Sequence, residues 1–381
     1  MMDIDRIILA RGSEANPGLC ERVLTRFHEA RVEYQPEAPP ARVDLTPRTG
    51  TEALLGDPKG MPPSHSSPKR TLVLGRIGRV LDVNCEPGMG KRIVCYPYRH
   101  FNAVGNCPYD CTFCYLAGNR GNLKCPAIKL YTNLDEVLAA LRKVADRASE
   151  PVLFYGSKLQ DFVALDAITR YSETLIPFAA AHPNVRLLFL TKSADIETFL
   201  PLGHSGHTIL SWTLNAEAVS EAFEVGAPPL QERLAAARRA ADAGYEVRFI
   251  FMPMIPIEGW QEGYARAVRA MFAAVRPSRI TLGGICMYRS ALNAFRARLR
   301  EEGTEAPWGD DCPAFPALQP PDFPRDRYRF PPEVRTRLYS HLLGRIREID
   351  PSVPVSLCLE TPEVWTSVGL RPEAAPCNCL L

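Results

Sequence analysis

The sequence predicts an α/β protein built around a partial (βα)6 barrel of the TIM type, with an N-terminal α/β extension and a C-terminal tail that carries cysteines. Two observations support this prediction. From residue 152 onward, short apolar runs alternate with longer segments of helical pattern, and repeated strand–helix units of this kind form a parallel sheet with helices outside. The chain has 381 residues, 46% of them hydrophobic, which is enough for one barrel with extensions.

The elements of the barrel follow one another in a regular order. The predicted strands cover residues 152–155, 186–192, 208–215, 247–252 and 279–286. The predicted helices cover residues 164–181, 229–243 and 262–275, with a short helix after residue 192 and a basic helix after residue 286. Because a barrel of this type has its site at the carboxyl ends of the strands, we expect the residues that end each strand to face a common pocket.

The two flanks of the barrel have less regular patterns. They predict, in chain order, a strand and a helix at 4–34, an irregular arm at 35–70, a strand at 71–83, a Pro-rich loop or lid at 302–332, a helix at 332–349 and a strand at 353–359. We therefore divide the chain into an N-terminal extension (1–90), the core barrel (91–302) and a C-terminal region (303–381).

Composition and charge exclude several classes of protein. The net charge of +2 is close to balance, whereas a dedicated nucleic-acid binder is usually more basic. Twelve cysteines in 381 residues are too dilute for a secreted disulfide scaffold. The N-terminus has no signal-peptide pattern, and no apolar run approaches the roughly 20 residues that cross a bilayer. We expect a cytoplasmic protein without a membrane partner, whose thiols are free to bind metal.

Three closely spaced cysteines carry the most specific signal. Cys107, Cys111 and Cys114 form a Cys-x3-Cys-x2-Cys motif, which supplies three thiolates, one too few to close a four-iron cluster. A [4Fe–4S] cube held in this way leaves one iron open to a substrate or cofactor. The alternative is structural zinc with a fourth ligand from elsewhere. Zinc sites usually pair a Cys-x2-Cys with a distant second pair, and only Cys111 and Cys114 have that gap.

The motif resembles the signature of radical S-adenosylmethionine (SAM) enzymes, which have the predicted partial barrel. In that family the open iron binds the amino and carboxylate groups of SAM, and an electron from the cluster breaks a carbon–sulfur bond to leave a carbon radical. Phe113 and Tyr115 flank the last cysteine, where the family commonly has aromatic residues near the adenine.

Most of the chain is also similar to the spore photoproduct lyase family. Each matching piece is short, and their order and spacing together are specific. The pieces are 69–75 (KRTLVLG), 107–116 with the three cysteines, Asp161 and Asp166, 190–192 (LTK), 212–215 (WTLN), 233–238 (RLAAAR), 243–245 (AGY), and Pro253 followed by 258–260 (EGW).

This resemblance implies roles for particular residues. The three cysteines would hold the cluster, Tyr115 would lie beside it, and Lys192 would pair with the SAM carboxylate, since an ammonium suits a point contact with an anion. The other implied SAM contacts are a polar contact from Gln160, hydrogen bonds from Thr213 and Asn215 to the ribose or methionine end, and backbone contacts from Met252 and Pro253 to adenine. Structural alternatives remain: Lys192 could cap a strand end, and Met252 could belong to the core.

Two departures from the family argue against DNA repair. The lyases carry a hydrogen-donor cysteine just before the aspartate that follows the second strand, and here residues 156–161 (GSKLQD) contain none. The lyases also have two tyrosines around the third cluster cysteine to relay the radical, and here the first is Phe113. A thymine-dimer lyase with this sequence would lack its donor and half of its relay.

The C-terminus adds a second group of cysteines. Cys358, Cys377 and Cys379 offer three soft thiolates, which suit an auxiliary iron–sulfur cluster, a thiophilic atom such as trivalent arsenic or a sulfur donor, or structural zinc. A frayed tail with incidental thiols is the fourth alternative. The remaining cysteines have no ligand spacing, and we interpret most of them as small buried hydrophobic residues. They are Cys20, Cys85, Cys95, Cys125, Cys286 and Cys312.

The sequence therefore predicts a radical SAM enzyme that modifies a small molecule and takes electrons from a flavodoxin or ferredoxin. The chain also resembles natural-product enzymes of the wider family that place sulfur or arsenic on carbon, for example by transferring the 3-amino-3-carboxypropyl group of SAM to arsenite. A tail with three thiolates suits such chemistry. Two rivals remain: repair of thymine photoproducts, with DNA as the partner, and a non-catalytic iron–sulfur or metal-binding redox protein.

Overall fold

The computed structural model describes residues 2–45, 68–85, 89, 91–118, 125–156, 158, 160–301, 318–321, 326–374 and 376–381. Most of the predicted arm and most of the predicted lid lie outside these residues. The strands are β1 (Arg6–Ala10), β2 (Arg31–Gln35), β3 (Thr71–Gly75), β4 (Leu81–Asn84), β5 (Tyr98–Phe101), β6 (Val104–Gly105), β7 (Ile128–Tyr131), β8 (Val152–Gly156), β9 (Val185–Thr191), β10 (Thr208–Leu214), β11 (Glu246–Met254), β12 (Arg279–Gly284), β13 (Cys286–Met287), β14 (Tyr328–Arg329) and β15 (Val355–Leu357).

The helices alternate with these strands and begin in the N-terminal extension. They are α1 (Pro17–Arg26), α2 (Leu134–Ala145), α3 (Phe162–Thr169), α4 (Ser172–Ala180), α5 (Glu217–Phe223), α6 (Leu230–Asp242), α7 (Trp260–Ala274), α8 (Arg289–Glu301), α9 (Pro332–Ile349) and α10 (Pro362–Ser367). In the described ranges, no helix combines the length and the apolar character that crossing a bilayer requires.

The larger sheet confirms the partial barrel. Its strand order is β15-β12-β11-β10-β9-β8-β5-β4, and every pair is parallel except β4 with β5 at one edge. The strands are buried on both faces along most of their length, as in β10, where all seven residues are buried. Parallel sheets covered on both faces have this apolar character.

The smaller sheet packs beside the barrel in the order β2-β1-β3-β7-β6. Its strands β6 and β7 lie beyond residue 90, while β4 and β15, from the two flanks, join the barrel sheet. The boundaries at residues 90 and 302 therefore stay a prediction, and strand membership crosses both of them.

Three sequence predictions about elements were wrong. The expected strand at 71–83 is interrupted because the Asn133 side chain binds both backbone polar groups of Ile77, at 3.0 Å each, and so holds the chain away from the sheet between β3 and β4. The expected helix at 164–181 divides at Arg170, which has a φ of 52°. The buried Asp166 carboxylate accepts a hydrogen bond from the Ser172 backbone at 3.0 Å, which starts α4 in a new direction.

The third difference is that the segment after Lys192 forms turns through residue 207 where a short helix was expected. Strand β5 was not predicted at all, although it is the barrel strand that leads into the cysteine motif. Apart from β4, the remaining barrel strands were predicted within a few residues of their bounds.

Candidate active site

The cysteine motif forms a loop that follows β5 and β6. Cys111 is buried, and Cys107 and Cys114 are half-buried. The loop turns where the Cys114 backbone donates to the Cys111 carbonyl at 2.9 Å. Burial raises the pKa of the Cys107 thiol, and the charges of Asp161, Cys111 and Cys114 raise it further. The three thiols therefore lie on one loop that is largely shielded from solvent.

Ion pairs and close packing fix this loop to the surrounding elements. The Asp110 carboxylate lies 3.2 Å from Lys69 and 3.3 Å from Arg298 of α8. Arg298 also donates to the Cys111 carbonyl at 3.1 Å. At the end of the loop, a Cβ on Gly118 would come within 2.1 Å of the Ala291 backbone nitrogen, so only glycine allows this approach. These contacts hold the thiols against the barrel.

The donor set fits an iron–sulfur cube. In the part of the chain that the structure describes, no three His, Cys, Asp or Glu side chains gather tightly enough to hold one metal ion. The thiolates around a cube bind different irons, so their sulfurs lie farther apart than the sulfurs around a single zinc. Three soft thiols on one rigid loop therefore suit a three-cysteine cluster.

A buried network of charges lies next to the loop. Arg233 contacts the Glu224 carboxylate at 2.5 Å, and the Lys192 ammonium lies 3.8 Å from the same carboxylate. Lys192 follows β9, and its ammonium is 5.9 Å from the ring centroid of Phe113 in the cysteine loop. Burial alone lowers the pKa of Lys192, but Glu224 and Cys111 raise it, and the net shift is upward. Lys192 therefore stays a cation beside the cluster loop.

Asn215 and Thr213 end β10 and join this network. Asn215 is fully buried; its amide donates to Glu224 at 3.3 Å and to the Pro253 carbonyl at 3.0 Å, and its oxygen accepts from Tyr264 at 2.7 Å. The Thr213 carbonyl accepts from Arg233 at 3.1 Å. The side chain of Asn215 is thus committed to protein partners, and its predicted contact with SAM stays a prediction.

Gln160 and Met252 lie at two other strand ends. Gln160 immediately precedes Asp161. The Asp161 carboxylate accepts hydrogen bonds from the Thr191 hydroxyl and from the Lys192 backbone, at 2.7 Å each. These bonds place Gln160 near the end of β9. A Cβ on Gly283 would lie 2.9 Å from the Met252 sulfur. Glycine at that position lets Met252 lie against the end of β12.

Tyr115 packs against a tyrosine that the sequence did not single out. Its ring centroid is 5.5 Å from that of Tyr288, and the Arg327 guanidinium lies 4.6 Å from the Tyr288 centroid. Burial raises the pKa of the Tyr115 phenol well above its usual range. Tyr115 therefore stays protonated and packs between the cysteine loop and the start of α8.

The C-terminal cysteines come together in the barrel. Cys358, Cys377 and Cys379 line one cavity, together with Cys95 and Lys158. The hydrogen bond from the Cys379 thiol lowers the pKa of Cys377 to about 6 and raises that of Cys379. The tail is docked rather than frayed, since Asn378 is 1% exposed.

Sequence reasoning missed five contributors to these sites. Glu224 and Tyr288 carry no motif that marks them as functional, and Cys95 has no ligand spacing. Asp161 and Arg233 belong to segments that resemble the family, and this resemblance was the one available signal for them.

The partial barrel carries three closely spaced cysteines in the loop after its first parallel strand, which is the arrangement expected of a radical SAM protein. The family model for spore photoproduct lyase matches residues 67–282. The chain belongs to the spore photoproduct lyase family.

Relatives and solved structures agree with this assignment. The spore photoproduct lyase of Geobacillus sp. is 35% identical over 159 residues, which cover 42% of this chain and 46% of that protein. The lyase of Bacillus subtilis is 34% identical over 170 residues, covering 44% and 49%. The chain thus spans about half the length of the curated relatives it matches. A spore photoproduct lyase structure with bound AdoMet and dinucleoside spore photoproduct superposes with a TM-score of 0.74 at 22% identity, covering 94% of this chain and 99% of that one.

Proposed function

We propose that this chain is a radical SAM enzyme that reductively cleaves SAM at a [4Fe–4S] cluster held by Cys107, Cys111 and Cys114, and that the resulting carbon radical modifies a small molecule. The bound cluster supplies the electron that breaks a carbon–sulfur bond of SAM. The observation that supports the proposal most is the half-buried Lys192 ammonium beside the three-thiol loop.

Lys192 is suited to bind the carboxylate of SAM. Its present partner, Glu224, makes its closer contact with Arg233, at 2.5 Å, and lies 3.8 Å from Lys192. A cation held at this longer distance can take a second anion, because little direct hydrogen bonding is lost. We propose that Lys192 anchors the methionine end of SAM, while Glu224 and Arg233 fix its position.

The remaining contacts to SAM come from the other strand ends. Gln160 and Thr213 supply polar groups at the ends of β8 and β10, and Phe113 and Met252 supply apolar surface for the adenine side. Asn215 acts through Glu224 and the Pro253 carbonyl, which it binds at 3.3 and 3.0 Å. We propose that the Tyr115 phenol lies next to the carbon radical.

The absent donor cysteine favours a small-molecule substrate over DNA. Residues 156–161 hold no thiol, and a serine O–H bond is too strong to give its hydrogen to a carbon radical. The finer proposal is formation of a carbon–sulfur or carbon–arsenic bond, for instance by transfer of the 3-amino-3-carboxypropyl group to arsenite. The tail cysteines adjoin this proposed pocket, since Cys358 lies against Gly283, the same residue that borders Met252.

The environment and the electron source follow from the same chemistry. We propose that the chain works in a reducing cytoplasm, where thiols stay free to bind iron. A cluster of this type has a potential as low as roughly −400 to −700 mV, so we propose a flavodoxin or ferredoxin as the electron donor.

Anaerobic turnover tests the proposal. The chain, reconstituted with iron and sulfide, reduced with dithionite and incubated with SAM, is expected to release a cleaved product measurable by chromatography. Methylthioadenosine supports transfer of the aminocarboxypropyl group, and 5′-deoxyadenosine supports the adenosyl radical. Intact SAM after reduction would contradict the proposal and favour a non-catalytic iron–sulfur protein.

Photoproduct repair is the second candidate, because the relatives that match are named spore photoproduct lyases. We expect a dinucleoside spore photoproduct to remain intact when it is incubated with the reduced enzyme and SAM, since the donor thiol is missing from residues 156–161. A spore photoproduct lyase assayed in parallel serves as the positive control. Release of the two thymidines at a comparable rate would overturn the small-molecule proposal and leave SAM cleavage intact.

A further inference from the structure

Four thiols, not three, line the cavity at the C-terminal tail. Cys95, Cys358, Cys377 and Cys379 come from three separate stretches of the chain and line a small cavity that is partly open to solvent. Aromatic rings from Tyr96, Tyr98 and Trp365 form much of the remaining wall.

The Cys95 side of the cavity is fixed by a bridge to the end of the barrel. The Val94 backbone donates to the Glu360 carbonyl at 2.7 Å, which places Cys95 beside the segment that carries Cys358. Glu360 is itself buried and accepts from the Tyr339 hydroxyl at 2.6 Å. Cys358 continues β15, and its backbone donates to the Leu282 carbonyl of β12 at 2.8 Å.

Two arginines fix the other side by binding the backbone of the tail. Arg248 donates to the carbonyls of Asn378 and Leu380 at 2.9 and 2.6 Å. Arg279 donates to the carbonyls of Cys377 and Leu380, both at 2.9 Å. Taking guanidinium groups out of water is costly unless their hydrogen bonds are replaced. The fold thus commits two cations to hold the Cys-x-Cys segment in one position.

We propose that Cys95, Cys358, Cys377 and Cys379 ligate a second [4Fe–4S] cluster. Four thiolates complete the ligand set of a cube, and the four cysteines line one cavity. On binding, the four thiols release four protons, and a core of charge 2+ with four thiolates carries a net charge of 2−. Lys158, which lines the cavity, and Arg279 offset this charge.

A closed ligand set distinguishes this cluster from the first one. With every iron bound to a cysteine, no iron is open to chelate SAM, and such clusters serve as one-electron carriers. The site adjoins the predicted SAM pocket, since a Cβ on Gly283 would touch both the Met252 sulfur, at 2.9 Å, and the Cys358 Cβ, at 3.4 Å.

Metal analysis of the reconstituted full chain tests the inference. Wild type is expected to hold about eight irons and eight sulfides. Two variants are each expected to hold about four irons and four sulfides. One lacks the motif cysteines (Cys107→Ala/Cys111→Ala/Cys114→Ala), and the other lacks the cavity cysteines (Cys95→Ser/Cys358→Ser/Cys377→Ser/Cys379→Ser). Cys95→Ser alone is expected to lower the iron content, whereas Cys85→Ser, at an exposed cysteine outside the cavity, is expected to retain all of it.

Spectroscopy on the first of these variants keeps the test independent of whether the tail variant folds. After reduction with dithionite, the protein that lacks the motif cysteines is expected to give the paramagnetic signal of one [4Fe–4S] cluster, and this signal is expected not to change when SAM is added. About four irons in wild type, all lost with the motif cysteines, would overturn the second cluster and leave the proposed function standing. One zinc per chain that is lost with Cys95→Ser would also overturn it.

Discussion

Replacing Cys111 with alanine is expected to abolish SAM cleavage and to remove about four irons from the reconstituted chain. Cys111 is one of only three protein ligands in the proposed first cluster. It is buried within the cysteine loop, and the charge of Lys192 acts on its thiol. A cube that keeps two protein ligands has no stable attachment, and without it the carbon–sulfur bond of SAM has no source of an electron. Product formation under dithionite and the iron count measure the two effects together.

Cys125→Ala is the matched control for this substitution. Cys125 is also buried and lies in a small apolar cluster with Val73 and Ala127, so its replacement removes a thiol of similar burial. We expect it to keep both the iron and the cleavage activity. Equal losses in the two variants would mean that the effect of Cys111→Ala comes from packing, and the three-cysteine cluster would then be contradicted.

Most barrel strands could be predicted because each is an apolar run with distinct neighbours. Strand β5 could not, because its four residues, Tyr98–Phe101, include Arg99 and His100, and only its two ends are buried. Its place in the sheet depends on pairing with β8 on one side and β4 on the other. A short polar strand of this kind is specified by long-range pairing, which a local pattern does not contain.

The difference between a local pattern and a long-range contact also separates the predicted site residues from the missed ones. The three motif cysteines lie within eight consecutive positions, so their chemistry is visible in the sequence. Cys95 meets Cys358 only because Val94 bridges to Glu360. The Cys-x-Cys at the C-terminus predicted a second site, but no local pattern marked the fourth thiol or the arginines that hold the tail.

Glu224 illustrates why a missed residue can matter as much as a predicted one. It ends α5 without any motif, yet it is the carboxylate that Arg233, Lys192 and Asn215 share. The side chains of Glu224 and Arg233 are 0% exposed. A buried cation without its partner is strongly destabilising, because water no longer solvates it and no anion compensates.

Glu224→Gln is therefore expected to lower the free energy of unfolding by about 3–5 kcal/mol. The substitution keeps the size of the side chain and one hydrogen-bond acceptor but leaves the buried Arg233 and the half-buried Lys192 without a carboxylate. Denaturant unfolding of wild type and variant measures the difference. Glu197→Gln is the control, because Glu197 pairs with Arg239 at 2.6 Å on the surface, with 67% and 45% of the side chains exposed, and exposed pairs contribute about 0–1 kcal/mol. Similar losses in the two variants would contradict the assignment of Glu224 as the anion of a buried network that positions Lys192.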